Sequence, residues 1–165
     1  MKVIVRLILL AGLLALGIWS WGFFFPTPQK IIEKDLLNLA RLASFSSHDG
    51  NFKRLADNER IGSLLARNIH VVLDLPGGRG NTFDNREDLL QAVLAARSAG
   101  KDLQAQFTDI GIRLNPDRQS AVALLTVKSK IGGEPDWVVE ELRFTFKKIS
   151  GDWLITGLET VQPLQ

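Results

Sequence analysis

The chain has 165 residues, 45% of them hydrophobic and 23% charged, with no cysteine and no tyrosine. That content excludes a disordered, collagen-like or disulfide-stapled protein and fits one globular domain with an appendage. The formal charge of +2 comes entirely from Lys2 and Arg6, because from Pro26 onward 18 basic side chains balance 18 acidic ones. A balanced domain has no global field to draw it to nucleic acid, and no nucleic-acid partner is expected.

Leu7–Phe25 is a run of 19 residues in which Ser20 is the one polar side chain. As a helix it would be about 28 Å long, close to the hydrocarbon thickness of a bilayer. Lys2 and Arg6 on its leading side place the N-terminus in the cytoplasm, and Trp19, Trp21, Phe23, Phe24 and Phe25 crowd the opposite interface. Pro26 and Pro28 end the span. A cleaved signal peptide would have a shorter apolar core followed by a small-residue cleavage site. Here Ala15-Leu16-Gly17 lies in mid-run with aromatics behind it, so an uncleaved signal anchor is the preferred reading. Residues 1–25 are then a cytoplasmic start and a transmembrane anchor in the lipid bilayer. Residues 26–165 form a domain outside the cytoplasm, on the periplasmic side in a two-membrane bacterium. Ala11 and Ala15 make a small-xxx-small pair, too common in such spans to point to a partner helix.

Thr27 with Pro28 behind it starts a first helix, whose Ile32, Leu36, Leu39 and Ala43 fall on one face. Ser46-Ser47-His48-Asp49-Gly50 breaks it, and Asp49 is the expected cap of a second helix. That helix carries Phe52, Leu55, Ile61, Leu64 and Leu65 and is expected to end near Arg67-Asn68. Residues 69–75 read as a strand with an apolar side chain at every odd position. A turn follows at 76–81, and Thr82-Phe83 form a short return strand. Asp84 with Glu87 resembles a capping box for a third helix, striped by Leu89, Leu90, Val93 and Leu94 and stopped by Gly100. Four long strands are expected at about 102–114, 120–131, 137–148 and 153–161, separated by Asn115-Pro116-Asp117, Gly132-Gly133 and Ser150-Gly151. Phe107 is apolar at an odd position while Ile110, Ile112 and Leu114 are even, which predicts a bulge near Thr108-Asp109.

This order of elements, with the stretches SLLARNIHVVLDLPGGRG, NREDLLQAVLAARSAG and GDWLITGLETV, resembles the nuclear transport factor 2-like superfamily (SnoaL-like, polyketide cyclase-like) over roughly residues 30–163. The resemblance implies an α+β cone: three helical segments packed on a curved antiparallel sheet, often around a pocket. It also implies a choice between enzymes, such as cyclases, isomerases, dehydratases and epoxide hydrolases, and catalytically silent binding or assembly modules. Residues must decide between these.

The residues favour a non-catalytic module that binds a small apolar ligand or a membrane-protein partner. Isomerases of the family set an Asp base opposite a Tyr, and dehydratases use Tyr and His, but this chain has no tyrosine. His70 and Asp74 share a strand face opposite the apolar Ile69, Val71, Leu73 and Leu75, and read as ordinary half-exposed residues. Glu140 and Arg143, three apart in a strand, point to opposite faces and cannot imitate the Asp-Arg-Asp cluster of the epoxide hydrolases. Glu141 and Arg143 share a face as a surface ion pair. Glu140 shares the parity of Val138, Leu142, Phe144 and Phe146 and would enter the mouth of a pocket formed with Val138 and Leu142. A carboxylate among apolar walls suits general acid–base work, so the alternative is a lyase or isomerase with Glu140 as base. The plainer reading, a solvated residue at the rim, is preferred.

Gly77-Gly78-Arg79-Gly80 lacks the Gly-Lys-Ser/Thr ending of a phosphate loop and reads as a turn. His48 and His70 lie apart without ligand spacing, so no metal is expected, nor is any cofactor. Last, Trp137, Val139, Val122, Leu124 and, on the last strand, Trp153 and Ile155 or their neighbours are assigned to a second apolar face of the sheet. Covering it calls for a homodimer packed sheet to sheet.

Overall fold

A computed structural model describes residues 26–73 and 80–161. The expected anchor Leu7–Phe25 therefore lies outside the described residues, and among those described no helix is long and apolar enough to cross a membrane.

Three helices, α1 (Pro28–Ala43), α2 (Asn51–Leu64) and α3 (Arg86–Ser98), pack on a sheet of six strands. The strands are β1 (Leu65–Leu73), β2 (Asn81–Phe83), β3 (Leu103–Leu114), β4 (Ser120–Ile131), β5 (Val138–Ile149) and β6 (Asp152–Thr160), in the spatial order β2-β1-β6-β5-β4-β3. The four long strands run antiparallel to one another, as their alternation and turns predict. The sheet is nevertheless mixed and not antiparallel throughout, because β1 lies parallel to β6. That pairing joins segments about 90 residues apart, and parallel partners need such a crossover where antiparallel ones need only a turn.

β1 also begins sooner than its alternation suggests. Leu65 is already extended and pairs with Ile155, so α2 stops at Leu64 and not near Arg67-Asn68. The buried residues of α2 are Asp57, Ile61 and Gly62, while Phe52 and Leu55 are 86% and 58% exposed. Gly62 lets α3 approach: a Cβ there would stand 3.0 Å from a Leu90 methyl. The caps differ from expectation as well. Thr27 occupies the N-cap of α1 without a side-chain bond, and Gly50 precedes α2, while Asp49 accepts from the Ser46 N–H and from Lys53. Asn85 caps α3 by accepting from the Asp88 N–H at 2.8 Å, since Asp84 is engaged by His70.

The expected bulge is present. The β3–β4 register shifts between Thr108 and Gly111, and Asp109 has φ 54°. Phe107 faces the helices before the shift, and Ile110, Ile112 and Leu114 do so after it. The helices and the inner sheet face enclose Ile32 and Leu36 of α1, Ile61 of α2, Ala121, Ala123 and Leu125 of β4, and Phe144 and Phe146 of β5. Trp153 and Ile155 belong to this core, 5% and 1% exposed, and not to the outer face. A register shift between Thr145 and Phe146 offsets β6 against β5 and turns those two side chains inward.

Candidate functional site

Between the helices and the inner sheet face lies a cavity of about 350 Å³. It lies between α1, which packs on β3, and α3, which packs on β1 and β2 at the other side of the sheet. Of the 19 described residues that line it 18 are apolar, and among them Ser129 contributes the one hydroxyl. Phe45, Phe107 and Phe144 form its aromatic wall, the last two with ring centroids 5.9 Å apart.

Leu142 lines this cavity. Val138 and Glu140 share its strand face and are not among the lining residues, although their partners across the ladder, Ser129 and Val127, are. Val138 is 38% exposed and Glu140 is half-buried, so the two stand at the edge of the wall. His70 sits on the face opposite the buried Ile69 and Val71. Its ring Nδ1 lies 2.7 Å from Asp84, and both side chains are exposed. His48 is exposed in the loop before α2. Asp74 and Gly77 to Arg79 lie outside the described residues. Nothing brings His70, Glu140 and His48 together, and among the described residues no group of three or more potential metal ligands occurs.

The polar residues that are assembled are others. Arg97 of α3 is wholly buried. Its Nη2 donates to the Leu42 carbonyl at the end of α1, and its guanidinium stands over the Phe45 ring, 5.3 Å from the centroid. Asp57 of α2 lies 3.6 Å from its Nη1 and also faces Lys53 at 3.2 Å and Arg60 at 3.8 Å. The Nε and Nη1 of Arg97 have no hydrogen-bond partner. Next to this cluster, Asp102 accepts from the Ser47 N–H at 2.6 Å and from the Ser46 hydroxyl at 3.2 Å. Those bonds, the Ser47 N–H foremost, hold its carboxyl below the usual carboxylate range. The Lys53 ammonium, with the Ser46 N–H, does the same for Asp49. A signal for Arg97 is present in the sequence: Leu90, Val93 and Arg97 fall at three- and four-residue steps on one helix face.

No family model and no curated protein matches the chain. Solved structures do match its shape. An uncharacterised protein with a cystatin-like fold from Caulobacter vibrioides superposes with a TM-score of 0.62 at 15% identity, over 82% of this chain and 90% of its own. A provisionally assigned scytalone dehydratase from Novosphingobium aromaticivorans gives 0.60 at 13% identity, over 81% and 84%. A nuclear transport factor 2-like protein of unknown function from Pseudomonas putida gives 0.59 at 10% identity, over 84% and 90%. The described domain thus has the nuclear transport factor 2-like fold, also called cystatin-like.

Proposed function

We propose that the domain is a non-catalytic binding module that takes a small apolar molecule into its cavity, held at the extracytoplasmic face of a membrane by Leu7–Phe25. The observation that carries the reading is the cavity wall, whose described residues are 18 apolar side chains and a single hydroxyl. Such a wall supplies burial energy to a ligand. Among the described residues it offers neither a carboxylate nor an imidazole to a reaction, and Glu140, the candidate base of a lyase or isomerase, stands outside the lining. The 19-residue apolar run and the basic residues ahead of it support the membrane position.

The test is binding of a neutral, environment-sensitive dye to the full chain, followed by fluorescence. Ala105 lines the cavity from β3, and Ala105→Phe fills space there. The variant should keep its circular dichroism and its recovery with membranes while dye binding falls about ten-fold or more. Unchanged dye binding would place the dye elsewhere and remove the cavity from the account. Recovery of the wild-type chain free of membranes would remove the anchor.

A further inference from the structure

We infer that the molecule taken into the cavity is an amphiphile with one carboxylate, its chain against the apolar wall and its headgroup on Arg97. This rests on the reading of the cavity as a ligand site and adds the ligand's chemical class.

An arginine with no exposed surface loses its hydration shell, and each donor left unmet there is destabilising. Arg97 leaves its Nε and Nη1 without a hydrogen bond in the buried core. Packing alone explains only part of its surroundings. Nη2 ties α3 to the last turn of α1 through the Leu42 carbonyl, and Phe45 receives the flat face of the guanidinium. The nearest carboxylate, Asp57, stops at 3.6 Å, beyond hydrogen-bonding distance, and is shared with Lys53 and Arg60.

Arg97 is not itself a lining residue, and the Phe45 ring separates it from the cavity. Phe45 is both a lining residue and the ring beneath the guanidinium, and Ala96, the neighbour of Arg97 on α3, is a lining residue too. A headgroup that displaced the Phe45 ring edge would meet Arg97. The charge count selects the headgroup. Lys53, Arg60 and Arg97 surround Asp57, and Lys53 is divided between Asp57 and Asp49, so this cluster holds a single positive charge in excess. Close by, Arg54 donates to the Ser47 carbonyl while Asp102 accepts from Ser47, and these two balance. One negative charge neutralises the cluster. A phosphate dianion would leave an excess charge beside Asp57. A carboxylate also presents two coplanar acceptors, which suit a guanidinium better than an ammonium.

The experiment displaces the neutral dye from the full chain with decanoic acid, decanol and decyl phosphate at neutral pH, after subtracting the signal of protein-free membranes. Decanoic acid should displace it at concentrations about ten-fold below decanol, with decyl phosphate weaker than decanoic acid. Equal potency of acid and alcohol would overturn the inference and leave the cavity reading standing. Failure of all three, with the dye itself not bound, would instead remove the cavity reading. In Arg97→Met the preference for the acid should vanish, and its persistence would also overturn the inference. Should Arg97→Met not fold, Asp57→Asn decides. Removing the competing carboxylate should widen the preference for the acid, and an unchanged or narrower preference counts against Arg97 as the headgroup partner.

Discussion

At the scale of single residues, a half-buried carboxylate ties a loop to the sheet. Asp102 fastens the 46–50 loop to the start of β3 through the Ser47 N–H and the Ser46 hydroxyl. Hydrogen bonds to an ionised carboxylate favour its charged form, which is why its folded pKa is depressed. The stability it contributes is therefore complete above the unfolded carboxylate value, about 3.9, and is lost as the pH falls through its lower folded value. Asp49 and Asp117 act in the same direction. Asp35 acts in the opposite one: burial raises its pKa, with Asp152 adding to the rise and Lys34 opposing it, so its ionised form weighs against folding at neutral pH. That penalty fades at pH values above those at which Asp102 fails. Asp102→Asn keeps an acceptor and removes the charge. In urea titrations the variant should be less stable than wild type at neutral pH, with the gap closing below about pH 4. A gap that stays constant from neutral to acid would mean the charge of Asp102 contributes nothing. Arg97, by contrast, was hidden from sequence reasoning by a sound rule, that arginines face solvent. The rule fails where one occupies the core position of a helical stripe and finds a carbonyl and a ring to satisfy part of it.

At the scale of elements, legibility followed the length of the pattern. Strands β3 to β6 were readable to within one or two residues, because a dozen alternating positions between strong turns leave little freedom. The bulge was readable from the parity change alone. Its Asp109, at φ 54°, lies in the left-handed region where Asp and Asn are tolerated. The hairpin joining β5 to β6 has Ser150 at φ 54° and Gly151 at φ 101°, the pair of positive values that a two-residue connection demands. Short or weakly amphipathic elements were not readable in this way. Phe52 and Leu55 look like a core stripe, yet the face of α2 that packs is set by Ile61 and by the Gly62 contact with Leu90. The extension of β1 back to Leu65 is decided by β6, through a parallel pairing no local pattern announces. The core that these elements share can be tested at Phe144, 1% exposed, whose ring lies 5.9 Å from Phe107 and 6.4 Å from Phe146. Phe144→Ala should destabilise the domain by about 3–5 kcal/mol, since collapse around the lost ring is opposed by the surrounding sheet. A loss below about 1 kcal/mol would show that the wall relaxes freely and that the cavity boundary is not rigid.

At the scale of the whole molecule, the outer face of the sheet remains to be covered. With Trp153 and Ile155 inside, its apolar surface is carried by Leu124 of β4, Val139 of β5 and Trp137 just before β5, which are 47%, 55% and 42% exposed. Gly111, in register with Leu124 on β3, has no side chain to fill the space beside it, and a groove of about 480 Å³ opens there between Arg113 and Arg143. Isolated exposed apolar residues are ordinary on a soluble surface, but a groove with an apolar floor across the last three strands of a sheet is not. We propose that a second copy of this chain covers it, sheet against sheet. Arg143, already paired with Glu159 at 2.9 Å, and Glu141 place both signs of charge on the same face for exchange across a two-fold axis. Anchoring two chains in one membrane would favour the contact further by raising their effective concentration. In sedimentation, the chain from Thr27 onward should be dimeric at high micromolar concentration. Leu124→Arg should convert it to a monomer with unchanged circular dichroism, because the substitution fills the groove with a third cation beside Arg113 and Arg143. A wild-type monomer at that concentration, or a Leu124→Arg dimer as tight as wild type, would show that the outer face of the sheet is not where two copies meet.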